Sequence, residues 1–301
     1  MKATHKILPL LWLVSIFTLT GCHGQRTIYK DGDGGLVRIN INWSAIVERP
    51  EHVRLALYPT SGEEPLEYYI DPSGGQVTIP YGSYHVLAYN WRSNKDTQRI
   101  QFGGKNKFET MQAYTDLLQG SLFGENVIQQ PDELANWSSN VDILTINRPD
   151  CDDDWEDLVL NIYPLQMVNT YDFYIPATGL QYVRSAEAIL TGVSRYKTLH
   201  NGEADATSYS VSVSMTPSTG KIEFHFSAFG FVPQEDYMLK IKFILIDGSV
   251  FEYTRNMKED IARKNRAIND LIVIPEVVGE TGGFEEPEIN DWKEVSEDIP
   301  I

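Results

Sequence analysis

The sequence predicts an all-β protein built of two β-sandwich domains in tandem. Two observations carry the prediction. From Leu36 onward, apolar residues recur at every second position in segment after segment, and Gly, Pro and Ser punctuate the segments where long helical patterns would otherwise join them. Once an N-terminal signal is set aside, about 280 of the 301 residues remain, enough for two domains of ordinary size.

The signal is the stretch MKATHKILPLLWLVSIFTLTGCHG. Lys2 and Lys6 make a short basic start, Ile7 to Leu19 carries no charge, and Leu19-Thr20-Gly21-Cys22 closes it. The uncharged run is too short for a bilayer span of roughly 20 helical residues, and no later window offers such a run. A branched apolar residue, two small residues and then Cys resemble a bacterial lipoprotein signal. That form implies a thioether-linked diacylglycerol on Cys22 and cleavage between Gly21 and Cys22. Two or more acyl chains, at about 0.8 kcal/mol per buried methylene, hold a protein firmly to a membrane. The expectation is therefore a membrane partner reached through the lipid on Cys22.

Composition narrows the function classes. The formal net charge of -17 becomes -19 when Lys2 and Lys6 leave with the signal, which argues against nucleic acid, whose phosphates need a basic face. Cys22 and Cys151 are the two cysteines, so with Cys22 lipidated no internal disulfide is available. Cys151 reads as a small residue beside Asp150, Asp152, Asp153 and Asp154 more readily than as a reactive thiol.

Residues 22–35 read as a polar, glycine-rich tether. Asp31 and Asp33 have the spacing that opens a calcium loop, but Gly35 takes the next ligand position and no glutamate closes it. The first domain, 36–155, opens on Val37, Ile39, Ile41 and Trp43 alternating with Arg38, Asn40 and Asn42, the pattern of a half-buried strand. Val53, Leu55 and Leu57 repeat it, and Leu66 to Ile70 and Val77 to Ile79 follow. Pro80-Tyr81-Gly82 then predicts a hairpin turn into a strand whose Tyr84, Val86 and Ala88 share one face. His85, on the other face and without a second histidine at ligand spacing, reads as a strand residue and not a metal ligand. Phe108, Met111, Tyr114 and Leu118 have helical spacing and predict a short helix or an irregular excursion, after which Val141, Ile143 and Thr145 resume the alternation.

The acidic run 150–157 lacks both the alternation and the glycine of a calcium loop and reads as a solvated bend between domains. The second domain, 156–280, begins at Leu158, Leu160 and Ile162, with Pro164 requiring an edge or a bulge. Strands are expected at Tyr171 to Ile175, Val183 to Leu190, Tyr209 to Met215, Lys221 to Phe229, Tyr237 to Ile246 and Val250 to Tyr253. Their apolar faces, Ile222-Phe224-Phe226 and Leu239-Ile241-Phe243-Leu245, describe a sandwich core. Asn256 with Glu259 predicts a capped helix through Arg266, and Leu271 to Ile274 a last strand. The acidic tail, 281–301, has Val295, Ile299 and Ile301 in strand parity but Trp292, Val295 and Ile299 in helical spacing. It suits docking on its own domain or adding a strand to a neighbour's edge.

The segments VRININW, LALYPTSGEEPLEYYI, PYGSYHVLAYN, LVLNIYPLQMVNTYDFYI and GGFEEPEINDWKEVSEDIPI, in that order behind a lipoprotein signal, resemble a family of Bacteroidales lipoproteins of unassigned function grouped with the fimbrillin-like proteins. The resemblance spans nearly the whole mature chain. It implies two transthyretin-like β-sandwiches and kinship with pilus subunits, which join by donating a strand into a groove that proteolysis of the partner's own first strand has opened. Such cleavage here needs an arginine between the first strand and the domain body. Arg49 precedes Pro50, a poor trypsin-like site, and Arg54 lies in the next strand.

The leading expectation is thus a non-enzymatic anchor or accessory subunit, or adhesin, of the outer membrane, with fimbrial subunits or host or bacterial surface ligands as partners. Cell-surface display is favoured over the periplasmic face, although His23-Gly24-Gln25-Arg26 lacks the acidic cluster that often marks surface lipoproteins of that group. The alternative is a glycan-capturing lipoprotein using Trp43, Trp91, Trp137 and Trp155, which requires at least two of these rings coplanar and exposed. No Gly-x-Ser-x-Gly, His-Glu-x-x-His or phosphate loop supports an enzyme, and no cofactor is expected.

Overall fold

A computed structural model describes residues 34–46, 49–91, 99–120, 123–131, 135–137, 143–148 and 158–277. The first half forms β1 (Gly34–Ile41), β2 (His52–Pro59), β3 (Leu66–Ile70), β4 (Gly75–Pro80) and β5 (Gly82–Trp91). The short strands β6 (Ile100–Gly103), β7 (Gln112–Thr115), β8 (Val127–Ile128), β9 (Ala135–Trp137), β10 (Leu144–Ile146), β11 (Leu158–Ile162) and β12 (Leu165–Gln166) follow. The second half contributes β13 (Asn169–Thr178), β14 (Val183–Ser194), β15 (Tyr196–Thr198), β16 (Ser208–Ser212), β17 (Ser214–Ser218), β18 (Lys221–Ala228), β19 (Met238–Leu245), β20 (Val250–Asn256) and β21 (Ile272–Val273). A single α-helical turn among the described residues, α1 (Lys258–Ala262), precedes β21. The protein is all-β.

Two sandwiches result, each around its own core. In the first, the sheet β11-β1-β4 faces the sheet β12-β9-β5-β2-β3, with β10 also on β5. The alternate residues Val37 and Ile39, Val53, Leu55 and Leu57, Tyr84, Val86 and Ala88 meet there, as the period-two reading expects. In the second, β17-β18-β13-β21 faces β20-β19-β14-β16-β8. Phe224 and Phe226 pack with Leu239, Ile241 and Phe243 in its core. Phe173 stacks on Phe224 with ring centroids 4.8 Å apart, a favourable aromatic pair across β13 and β18.

Several local expectations need correction. Pro80-Tyr81-Gly82 does not turn a hairpin: β4 pairs with β1 and β5 pairs with β2, so these residues carry the chain from one sheet of the sandwich to the other. Alternation reports which face is buried and is silent on which strand lies alongside. Of the two readings of Phe108 to Leu118, the irregular excursion holds and the helix does not, because a single 3-10 turn at Phe108–Thr110 gives way to β7, whose Ala113 and Thr115 point inward. The segment Tyr209 to Met215 breaks at Val213, and β16 and β17 belong to opposite sheets of the second sandwich. The helix expected through Arg266 ends at Ala262. Asn256 Oδ1 accepts the amide of Lys258 at 3.0 Å, but Glu259 turns to Arg263 at 3.0 Å and Lys264 adopts a left-handed φ of 55°, which stops the helix.

The strand at Leu158 also changes allegiance. Expected to open the second domain, β11 instead lies parallel to β1, with Leu160 and Ile162 in the first core. A parallel partner needs a long crossover, which the 116 residues between Ile41 and Leu158 supply.

Strands β6, β7 and β15 form a third, small sheet between the sandwiches. Beneath it Ala56, Tyr58, Leu87 and Tyr89, from the outer face of β2 and β5, share a buried cluster with Met111, Met167, Val168, Leu199 and Phe229. The face of β5 opposite Tyr84 is therefore apolar and covered. His85 lies on it, stacked on Phe108 at 4.6 Å. Strand β8 joins β16 in parallel register, Val127 opposite Ser210, and so carries a piece of the first half into the second sandwich.

Candidate functional site

The site that the sequence singles out is the first strand and the groove it fills. β1 is the middle strand of its sheet. On one side five successive residues, Val37 to Ile41, pair in parallel with Leu158 to Ile162. On the other side Gly34 to Ile39 pair antiparallel with Pro80 back to Gly75. Val37, Arg38 and Ile39 are thus paired on both sides, as a central strand requires. Inward, Val37 and Ile39 are buried, and Ile39 keeps 1% of its surface. Outward, Arg38 and Asn40 meet solvent, and Asn40 Nδ2 donates to Asn161 Oδ1 at 3.0 Å.

Both ends of the strand are fastened. At its start the strand takes in Gly34 and Gly35, which the sequence reading placed in the tether. Both are buried. A Cβ on Gly34 would stand 2.2 Å from the Ile79 carbonyl oxygen, and one on Gly35 would stand 2.8 Å from Ile146 Cγ2, so glycine here permits close approach of backbone, not flexibility. Past its end, Trp43 turns into the core and its Nε1 donates to the Pro72 carbonyl at 2.7 Å. The paired glycine at the head of an alternating run was the available sequence signal for this packing.

Around the groove, Tyr84 donates its hydroxyl to the Pro80 carbonyl at 2.9 Å, and burial holds its pKa above the usual tyrosine value. On the far side of the facing sheet, Arg54 keeps 8% of its surface. Its guanidinium pairs with Glu67 at 3.3 Å and lies 5.0 Å from the Tyr69 ring centroid. Arg49, by contrast, is exposed. Of the two arginines weighed as cleavage points, the fold leaves Arg49 accessible and encloses Arg54.

The remaining sequence candidates divide as follows. Cys22, Cys151, Trp155, the acidic run 150–157 and the tail 281–301 lie outside the described residues, as do the side chains of Trp91 and Trp137. Trp43 keeps 7% of its surface and is a core residue, so it is withdrawn from the ring platform that glycan capture requires. Among the described residues no group of three or more His, Cys, Asp or Glu is placed to hold a metal ion. No described helix is long and apolar enough to cross a membrane.

Sequence reasoning missed one further element, Lys197. Its Nζ donates to the carbonyls of Met167 at 3.1 Å and Phe229 at 3.0 Å beneath the small sheet, and burial lowers its pKa. A lone lysine in a polar stretch gave no signal of this.

A family model described as "Domain of unknown function (DUF5119)" matches residues 21–215, well over half of the chain. The chain belongs to the DUF5119 family. Within that setting it is 28% identical over 280 residues to a Bacteroides ovatus protein named "Putative fimbrium anchoring subunit Fim4B", covering 86% of this chain and 80% of that one. A solved structure titled as a "putative adhesin" from the same species superposes with a TM-score of 0.68 at 25% identity, over 85% of this chain and 96% of that chain. A second Bacteroides ovatus structure with a similar title superposes at 0.52 with 9% identity, over 76% and 79%, which speaks for a shared fold alone. The expected kinship with fimbrium-related proteins of the Bacteroidales is borne out by these relatives.

Proposed function

We propose that this DUF5119 protein is a non-enzymatic, lipid-anchored component of a fimbria, an anchor or accessory subunit with an adhesin's two-sandwich body, that works through protein contacts at strands. The observation that supports it most is the seating of the first strand, paired with both β4 and β11, in a chain similar over 86% of its length to a protein named as a putative fimbrium anchoring subunit. If its first strand is left uncut, the protein stays covalently continuous with the segment that precedes Gly34. A lipid on Cys22 would lie 12 residues from that strand, a tether of at most about 40 Å at ~3.3–3.6 Å per residue. The mature chain would begin at Cys22 and sit on the outer membrane facing outward.

The test is deletion of the gene followed by complementation with wild type or Cys22→Ser. Fibres should stay on cells with the wild-type copy and appear in the medium with the variant. Fibres that remain cell-bound without the protein would overturn the assignment. Shaving intact cells with protease addresses the outward orientation, which requires loss of the protein from unbroken cells.

A further inference from the structure

We infer that β1 and β11 form a mechanical clamp that holds the first sandwich shut against tension between its N-terminal tether and the body beyond. The inference rests on the proposed anchoring role for the direction of the load, and on topology for the response.

The two strands are parallel and in continuous register from Val37–Leu158 to Ile41–Ile162. Tension from the membrane side enters β1 at Gly34, its N-terminal end. Tension from the second sandwich reaches β11 at Ile162, its C-terminal end, through residues 163–168, once the two-residue pairing of β12 with β9 has yielded. Parallel strands pulled from opposite ends slide along each other's axis, so the whole ladder is strained together before any one bond yields. The same pull drags β1 lengthwise past β4, adding the six antiparallel pairs to the resistance. Val37, Ile39 and Trp43, inserted in the core, have to leave with the strand. An antiparallel pair pulled apart at adjacent ends behaves differently, because it opens one pair at a time and each step meets only that pair. The rate of forced unfolding is set by the barrier along the pulled direction, not by equilibrium stability.

The fold contains both geometries, which makes the clamp testable within one protein. Tyr163, 44% exposed, follows the end of β11, and Thr78, exposed, lies opposite Leu36 near the start of β1. The chain from residue 22 to 301, with Cys22→Ser and Cys151→Ser, is given an N-terminal handle and a second handle at Tyr163→Cys or Thr78→Cys for single-molecule force spectroscopy. Variants with the parent's melting temperature are compared. If Tyr163→Cys lowers that temperature, Leu165→Cys, 56% exposed, provides the second handle, loading β11 after the two-residue pairing of β12 with β9. The 163 axis shears β1 against β11, and the 78 axis peels it from β4. A rupture force several-fold higher along the shear axis is expected. Equal forces, or a lower force in shear, would overturn the clamp. Failure of the anchoring role shows separately, as fibres held on cells that lack the protein, and leaves the force ratio untouched.

Discussion

Asn40 and Asn161 stand 121 positions apart in the chain and face each other across β1 and β11, the amide of Asn40 donating to the side-chain oxygen of Asn161 at 3.0 Å. That contact marks the register that ties the two ends of the first sandwich together. Its own worth is small, since it is exposed and a net hydrogen bond contributes about 1 kcal/mol. The neighbour that points inward matters more. Ile39→Ala should cost about 2–5 kcal/mol through lost burial and the cavity left behind, while Asn40→Ala should cost about 1 kcal/mol or less. Urea denaturation of the two variants checks the contrast, and equal losses would refute the central placement of β1.

Arg49 is exposed in the link between β1 and β2, and Pro50 follows it. Pro50→Ala should open this bond to trypsin in the native protein. The cut first strand should nevertheless stay bound, co-eluting with the body on gel filtration and separating in denaturant, because its pairing with β4 and β11 does not depend on the link. Mass spectrometry identifies the cut, and release of the strand under native conditions would contradict the filled groove.

Lys197 donates to two carbonyls, those of Met167 and Phe229, both on buried residues. Lys197→Met keeps the apolar stem and removes the donor. Leaving buried acceptors unpaired should destabilise the protein by about 1–3 kcal/mol. The loss should be visible in thermal unfolding, with faster hydrogen exchange at Leu199, whose amide bonds the Met111 carbonyl beside this point.

Tyr89 is 1% exposed beneath the small sheet, and its pKa is pushed up to about 12. Burial raises it and prevails over the nearby Arg54 guanidinium, which lowers it. The folded state therefore favours the neutral phenol. Its contribution to stability is fully present below the unfolded value of about 10 and is lost as pH rises toward the folded value. Titration into that window should show Tyr89 ionising together with unfolding, and Tyr89→Phe should move the alkaline transition upward. Tyrosinate absorbance followed alongside circular dichroism checks it.

The strands themselves were largely legible. Ile222-Phe224-Phe226 and Leu239-Ile241-Phe243-Leu245 occupy the core faces that their alternation predicts, and Trp43 continues the inward row begun by Val37 and Ile39. Pairing was not. Pro80-Tyr81-Gly82 has the composition of a hairpin turn, yet its flanking strands lie in opposite sheets. The helical spacing of Phe108, Met111 and Tyr114 arose in a stretch that folds as a turn and a strand, since Met111 and Ala113 are buried under the small sheet and no helical face exists for them to line. Gly34 and Gly35, typical of a flexible tether by composition, serve as close-packed strand residues.

By itself the sequence determined the β class and the inward face of most strands, and it is the source of the proposal that Cys22 carries a lipid. These depend on residue chemistry within a few positions: alternation sets which side chains leave water, and a short uncharged run ending in Leu-Thr-Gly-Cys is read locally. The tertiary structure alone decided that β11 completes the first sandwich, that β1 is central and that both faces of β2 and β5 are covered. Those are relations between segments distant in the chain, Val37 and Leu158 among them, set by which apolar faces find each other once the chain has closed its loops, and no local pattern encodes them.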